Sequence, residues 1–181
     1  MTKPRRSGRV LRITMIPKVH GFLLSVALAT GAVACTHAPP TPDPKSEILA
    51  AVATAHGGAG PWAVAGYRMG RAALAALGLP RGSFDLEVTH FSPQKVQYTC
   101  IADGAAAATG ASLGKLNLQL AEASEDATHT TYRNRSTGRS VTYRLTTAFR
   151  TRFLDVPRPH LAEAGRAVLE LADRDIFELV E

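Results

Sequence analysis

The chain has 181 residues and a formal net charge of +6, from 21 Lys and Arg against 15 Asp and Glu. The surplus lies in the first 34 residues, which contain six basic residues and no acidic one, so residues 35–181 carry 15 of each sign. A nucleic-acid-binding domain needs a basic face of its own. The balanced charge after residue 34, without a basic cluster, excludes nucleic acid as a partner.

The N-terminal segment has the parts of a secretory signal. Its start is basic, and an uncharged apolar run of 14 residues follows at positions 21–34. This run is shorter than the roughly 20 residues that a membrane-spanning helix needs. It ends in Ala32-Val33-Ala34-Cys35, which fits a lipobox, in which the cysteine is lipidated and becomes the new N-terminus. We therefore predict a signal peptide at residues 1–34 and lipid attachment at Cys35.

Two alternatives to this interpretation stay open. Ala32-Val33-Ala34 also fits cleavage by an ordinary signal peptidase, and Met15 could be the true start. Residues 36–45 contain four prolines and predict a semi-rigid tether. We expect an exported periplasmic or cell-surface lipoprotein, bound to a membrane through its lipid anchor.

Residues 46–181 predict a single α+β domain that begins with two helices. Ser46 is expected to cap a short helix that ends near residue 55. A glycine-rich loop at residues 56–60 follows, and Pro61 suits the first turn of an amphipathic helix that Gly78 ends.

The middle and end of the domain alternate between strand and helix patterns. Strands are predicted at residues 85–91 and 129–135, and at 140–145 after a hairpin turn. Leu116, Leu118 and Leu120 alternate as in a half-buried strand. Helices are predicted at residues 100–109, with Thr99 as the N-cap, at 159–171, and in a last short segment ending near Val180. These elements predict helices packed on an antiparallel or mixed sheet.

Cys100 is the most informative candidate residue, because it is the remaining thiol if Cys35 carries lipid. In the first turn of the predicted helix, unpaired N–H groups and the helix dipole would favour a thiolate. Asp103 follows on the same helix face, so the two side chains could reach one metal ion. A small side chain buried in the core is the alternative interpretation of this cysteine.

Two histidines and one glycine motif are further candidates. His56 begins the glycine-rich loop, which would let the backbone approach a ligand, and His90 ends the first predicted strand. A solvated loop residue and a surface strand residue are the respective alternatives. The segment at residues 110–115 is not a phosphate-binding P-loop, because three residues separate its glycines and a strand follows it.

Several blocks together resemble the E-subunit family of formylmethanofuran dehydrogenase. They are the stretches His56–Arg71, Tyr98–Gly104 and Thr109–Leu118, and residues 171–177 are similar to the closing segment of that family. The resemblance covers roughly residues 45–180 and implies an α+β core. It does not imply formylmethanofuran chemistry, because an exported lipoprotein has no obvious access to that cytosolic complex.

The resemblance also implies a site for zinc or a similar divalent metal, but this site is incomplete. The family pattern His-Gly-His-x-Cys-Pro-Gly reads His-Gly-Gly-Ala-Gly-Pro-Trp at residues 56–62. Gly58 therefore replaces the second histidine, and Gly60 replaces the first cysteine. Cys100 and Asp103 match the family, and no cysteine follows Cys100, so this sequence lacks the zinc ribbon of many members.

We expect a pocket that binds a divalent metal ion, zinc by resemblance, or a small ligand. Three protein ligands and one open position would suit a catalytic or transfer site. The expected ligands are His56, Cys100 and Asp103, with His90 as a possible fourth. Three polar residues of the third block are expected to line the same pocket and hold an anionic group: Ser112, Lys115 and Asn117.

Two other functions stay open. The first is a thiol-dependent enzyme in which Cys100 is the catalytic nucleophile and His56 or His90 is the base. The second is a non-catalytic binding module with a degenerate metal site. The sequence also leaves a homodimer open.

Overall fold

The computed structural model describes residues 43–180, so the predictions for the signal peptide, Cys35 and the start of the tether lie outside the described residues. The helices are α1 (Pro44–His56), α2 (Pro61–Leu77), α3 (Val96–Thr109), α4 (Thr147–Phe153), α5 (Leu161–Val168) and α6 (Asp173–Ile176). The strands are β1 (Leu86–Ser92), β2 (Leu118–Glu122), β3 (His129–Asn134), β4 (Ser140–Leu145) and β5 (Phe177–Leu179). Short 3₁₀ turns lie at Leu113–Lys115 and Arg158–His160.

The strands form one mixed sheet in the order β2-β1-β3-β4-β5. β1 and β2 are parallel and are joined through α3, whereas the other pairs are antiparallel. Alternate residues of β1, including Leu86 and Val88, are buried together with Tyr132 of β3 in the core that contains α2 and α3. The α+β prediction is therefore confirmed, including the hairpin between β3 and β4.

Two glycines allow α2 and α3 to cross with their backbones in contact. A Cβ atom at Gly104 would collide with the backbone of Ala63, and one at Gly66 would collide with the backbone of Ile101. Larger side chains at either position would push the helices apart. This close crossing holds the start of α2, and the loop before it, against the N-terminal half of α3.

Two predicted helix starts are wrong. α1 begins at Pro44 after Asp43, and Ser46 Oγ donates a hydrogen bond back to the Asp43 carbonyl instead of capping the helix. α3 begins at Val96, so Cys100 lies in its second turn rather than its first. Extended backbone at Lys95 sets that start, and Thr99, which was expected to be the cap, lies inside the helix.

The strand predicted from alternating leucines begins two residues later and is more exposed than expected. Leu116 lies before β2 in left-handed backbone and is 78% exposed, and Leu120 is 61% exposed because β2 forms an edge of the sheet. The final segment is also different, because the four-residue helix α6 leads directly into strand β5. The sequence analysis did not predict α4.

Within residues 43–180, no single helix has both the length and the apolar character needed to cross a membrane. α1 and α2 together meet those criteria, but they meet at an angle of 110°.

Candidate functional site

A cleft of about 610 Å³ lies where the α1–α2 loop meets α3 and the start of α5. Its lining includes His56, the whole loop at residues 57–60, Gln97 and Cys100 of α3, and Arg158. Gly165 allows α5 to pack directly on this loop, because a Cβ there would collide with the backbone of Ala59. The cleft is therefore formed by segments that are far apart in the sequence.

The loop between α1 and α2 places His56 at the edge of this cleft. Gly57 has a φ of 83°, a left-handed conformation that glycine adopts without a Cβ penalty, and its N–H donates to the carbonyl of Ala53 to end α1. Pro61 then begins α2, where its missing N–H costs nothing. His56 is thus the last residue of α1 and faces α3.

His56 and Asp103 form a direct pair. Nδ1 of His56 lies 2.8 Å from Oδ2 of Asp103, and the imidazole is about one-quarter exposed. An ionised carboxylate has no proton to donate, so Nδ1 of His56 is the donor, and this fixes the tautomer of the neutral ring. Within residues 43–180, Nε2 of His56 has no hydrogen-bond partner. Such a carboxylate–imidazole pair is the usual support of a histidine that binds a metal or a ligand.

Cys100 lines the same cleft as His56 but is a protonated thiol. Its side chain is buried, and Sγ donates a hydrogen bond to the carbonyl of Gln97 over 3.0 Å. Burial, and then the negative charge of Asp103, raise the pKa of the Cys100 thiol to about 12. The predicted thiolate in a first helical turn is therefore wrong, because a second-turn position has no free N–H groups to stabilise the anion.

Gln97 and Trp62 complete the floor of the cleft. The Nε2 group of Gln97 is buried and has no hydrogen-bond partner within the described part of the chain. Trp62 packs edge-on against Tyr98, and its Nε1 donates to the carbonyl of Phe153 at 2.9 Å. Gln97 is therefore a cleft residue whose amide nitrogen is buried and unpartnered beside an apolar aromatic wall.

The structure does not bring His90 to this cleft. The side chain is fully buried in the core, where Nδ1 lies 2.8 Å from Thr130 Oγ1 and Nε2 lies 3.1 Å from the carbonyl of Tyr98. Burial lowers the pKa of His90 to about 4. Because both ring nitrogens are hydrogen-bonded, the imidazole has no free atom for a metal, and His90 is not a surface strand residue either.

Ser112, Lys115 and Asn117 also lie outside the cleft and stabilise a turn. Asn117 is buried, its Oδ1 accepts from the Ser112 N–H, and its Nδ2 donates to the carbonyl of Leu86. Lys115 Nζ donates to the carbonyls of Gly82 and Gly110. The polar groups of this turn bind other parts of the protein, so the expected anion-binding role does not fit.

The four expected metal ligands are thus only partly assembled. His56 and Asp103 are in contact, Cys100 shares the cleft, and His90 is elsewhere. Within residues 43–180, no group of three or more His, Cys, Asp or Glu side chains is arranged to hold a metal ion. Because Asp103 is bonded to Nδ1, the metal-binding atoms that remain on the lining residues His56 and Cys100 are Nε2 and Sγ.

The two positions of the family's first motif at which ligands are missing line the same cleft. A Cβ added at Gly58 would meet nothing within 4 Å, and one at Gly60 would meet only Leu161 Cδ2, at 3.8 Å. Neither glycine has a positive φ, so the fold accepts side chains at both positions. The missing ligand side chains at these two positions are therefore a property of the sequence, not a requirement of the backbone.

Sequence reasoning missed Gln97 and Arg158 as cleft residues. Gln97 lies before the helix predicted at residues 100–109, because that prediction starts α3 four residues too late. Arg158 gave no local signal, since its position depends on how the segment before α5 packs on the α1–α2 loop.

A sequence model of the family described as "FmdE, Molybdenum formylmethanofuran dehydrogenase operon" matches residues 55–178 of the chain. This match contains every residue of the cleft described above. No curated protein matches the chain.

Proposed function

Because the chain belongs to the FmdE family, we propose that it is a binding protein whose cleft holds a small ligand, and that His56 is the central contact. A divalent metal ion, with zinc as the first choice, is the simplest ligand to test. The observation that carries this proposal is the His56–Asp103 pair at 2.8 Å, which leaves Nε2 of His56 without a partner at the edge of the cleft.

The hydrogen bond from Nδ1 supports binding in two ways. It holds the imidazole plane in one orientation, and it keeps Nε2 as the unprotonated nitrogen while the ring is neutral. Gln97 supplies a second polar side chain to the lining of the cleft, and Trp62 supplies an apolar wall. A cleft with a few polar groups on an apolar lining is typical of small-ligand sites.

A metal ion would have two protein donors here, His56 Nε2 and Cys100 Sγ, and would need water or a ligand to complete its coordination. Cys100 must lose its proton to bind a metal, which is costly because burial holds its pKa at about 12. We therefore propose weak, pH-dependent metal binding rather than a structural zinc site, which needs four protein ligands.

The test is a calorimetric titration of Zn²⁺ into the purified chain and into two single variants. His56→Ala should lose at least tenfold in affinity, whereas His129→Ala, which removes an imidazole outside the cleft, should bind as the parent does. Equal affinity of the parent and His56→Ala would overturn the proposal, as would the absence of binding to the parent.

The rival enzymatic function is less well supported. A catalytic cysteine needs a base within hydrogen-bond reach and a low pKa, but Cys100 Sγ donates to a backbone carbonyl and its pKa is raised.

We also propose that the protein is exported and held on a membrane by lipid at Cys35. The basic start, the apolar run and the Ala-Val-Ala-Cys sequence at residues 32–35 support this. The mass of the N-terminal peptide from the membrane fraction tests it: an acylated peptide starting at Cys35 is expected, and an unmodified one starting at Met1 or Met15 would contradict it.

The edge of the sheet at β2 supports self-association as a further proposal. Four large apolar side chains are exposed at or near this edge: Phe84, Leu113, Leu116 and Leu120. Exposed apolar patches commonly mark interfaces. Light scattering should show a dimer that Leu116→Glu weakens, and a monomeric parent would refute the proposal.

A further inference from the structure

A second cleft, of about 560 Å³, lies between the N-terminal half of α1 and the outer side of α2. It shares no lining residue with the cleft beside His56. Three arginines line it, Arg68, Arg71 and Arg81, although they are spread over 14 positions of the sequence. The basic character of this cleft therefore emerges only when the chain folds.

The three arginines differ in how their charges are balanced. Arg68 is paired with Asp173, with Nη2 2.6 Å from Oδ1, and also donates to the carbonyl of Leu171. Arg81 donates from Nε and Nη2 to the carbonyl of Ala107, which holds the guanidinium in place without neutralising it. Within residues 43–180, Arg71 has neither an ion pair nor a side-chain hydrogen bond.

Carboxylates near this cleft do not cancel the remaining charge. Glu170, on the turn after α5, is paired with Lys45 at 2.7 Å, and Asp173 is paired with Arg68. Glu47 is the one acidic residue among those lining the cleft in the described chain, and it is exposed, as Arg71 and Arg81 are. Residues 1–42 contain no Asp or Glu that could add a negative charge. Arg71 and Arg81 together therefore outweigh Glu47.

We propose that this cleft binds an anion that carries a phosphate group, held by Arg71 and Arg81. The planar guanidinium fork of Arg71 matches a phosphate with two parallel hydrogen bonds. Arg81, whose Nε and Nη2 donate to the Ala107 carbonyl, contributes its positive charge and its remaining N–H groups. The side chains of Tyr67 and Ile48 give the cleft an apolar wall, and its volume exceeds that of an inorganic phosphate ion. A phosphate ester with an attached organic part fits this space.

The phosphate has two sources, a soluble phosphate ester or the headgroup of an anionic lipid. The possibility that the phosphate belongs to a lipid headgroup depends on the proposed lipid anchor at Cys35, whereas the phosphate site itself does not. Pro44 lines the cleft and follows Cys35 by nine residues. Nine extended residues reach about 30 Å at most, so an anchored chain would keep the cleft near the membrane surface.

The experiment is a calorimetric titration of the full chain with inorganic phosphate, and then with short-chain phosphatidylglycerol below its micelle concentration. Arg71→Gln/Arg81→Gln should lose at least tenfold in affinity for the ligand that binds. Arg139→Gln is the matched control, because Arg139 also donates to a helical carbonyl, that of Ala76, but lies outside the cleft. Binding of phosphate but not of the lipid assigns a soluble ligand, and tighter binding of the lipid assigns a headgroup.

Binding of neither anion by the parent would overturn the proposal, as would equal affinity of the parent and Arg71→Gln/Arg81→Gln. A thermal unfolding curve of each variant shows whether it is folded, so that a loss of affinity is not mistaken for a loss of structure. Zn²⁺ binding at His56 is measured on the same samples, so failure at one cleft is distinguishable from failure at the other.

Discussion

The cleft beside His56 and the turn at residues 110–117 come from similar sequence blocks, rich in glycine and polar side chains, but they use their polar atoms in opposite ways. In the turn, Asn117 and Lys115 direct their hydrogen bonds to backbone groups of the protein. In the cleft, His56 Nε2 and Gln97 Nε2 have no partner within residues 43–180. Buried polar groups are normally satisfied, and the turn follows this rule, whereas the imidazole that lines the cleft keeps one nitrogen available for a ligand.

Cys100 gives the sharpest test of whether the cleft contains a reactive group. With a thiol pKa of about 12, the thiolate fraction at pH 8 is roughly 1,000-fold below that of an exposed cysteine. We expect iodoacetamide to label the native chain at least that much more slowly than the chain unfolded in urea, followed by mass spectrometry. Native labelling at the rate of the unfolded chain would restore the nucleophile hypothesis.

Asn117→Ala should affect stability far more than His56→Ala. The substitution leaves the buried Leu86 carbonyl and the part-buried Ser112 N–H without their partner, which should cost about 3 kcal/mol. His56 is partly exposed, so its loss should cost about 1 kcal/mol. Urea unfolding of both variants measures the difference, and similar losses would contradict the distinction between turn and cleft.

His90 should make the folded state sensitive to acid. Its pKa is about 4 in the folded chain and about 6.5 when unfolded, so below pH 6.5 the unfolded chain binds a proton that the folded chain does not. The free energy of unfolding should therefore fall by about 3 kcal/mol as the pH drops from above 6.5 to 4. Glutamine cannot bind this proton. Between pH 6.5 and pH 4, the free energy of unfolding of His90→Gln should therefore fall by about 3 kcal/mol less than that of the parent. Parallel pH profiles for the two proteins would show that His90 titrates normally.

Restoring ligands at the two glycines should strengthen metal binding with little effect on folding. Gly58→His/Gly60→Cys adds two donors to the cleft where the backbone has room for them. We expect at least a tenfold gain in Zn²⁺ affinity and a change in the free energy of unfolding of about 1 kcal/mol or less. Gly57→His, at a position with positive φ, is the control that should destabilise the loop without this gain.

Much of the fold follows from the sequence because its signals are local. The glycines after α2 and α3, the proline that begins α2 and the alternating pattern of β1 predict those elements correctly. The sequence placed the start of α3 too late because Thr99 is a good cap residue, whereas extended backbone at Lys95 sets the true start. Leu116 and Leu120 mislead because alternation does not reveal that β2 lies at the edge of the sheet.

The candidate site was less predictable, since it depends on which polar atoms remain free after folding. The sequence placed His56, Cys100 and Asp103 together correctly, through their matching blocks. It could not separate them from His90 or Asn117, because each of those residues is hydrogen-bonded to a partner distant in the chain, Thr130 for His90 and Leu86 for Asn117.

The most direct test of the central claim is to follow the imidazole nitrogens of an isotopically labelled chain by NMR during a Zn²⁺ titration. We predict that the Nε2 signal of His56 shifts first, and that the signals of His90 stay unchanged because both of its nitrogens are already hydrogen-bonded. A shift at His90 without one at His56 would contradict the account.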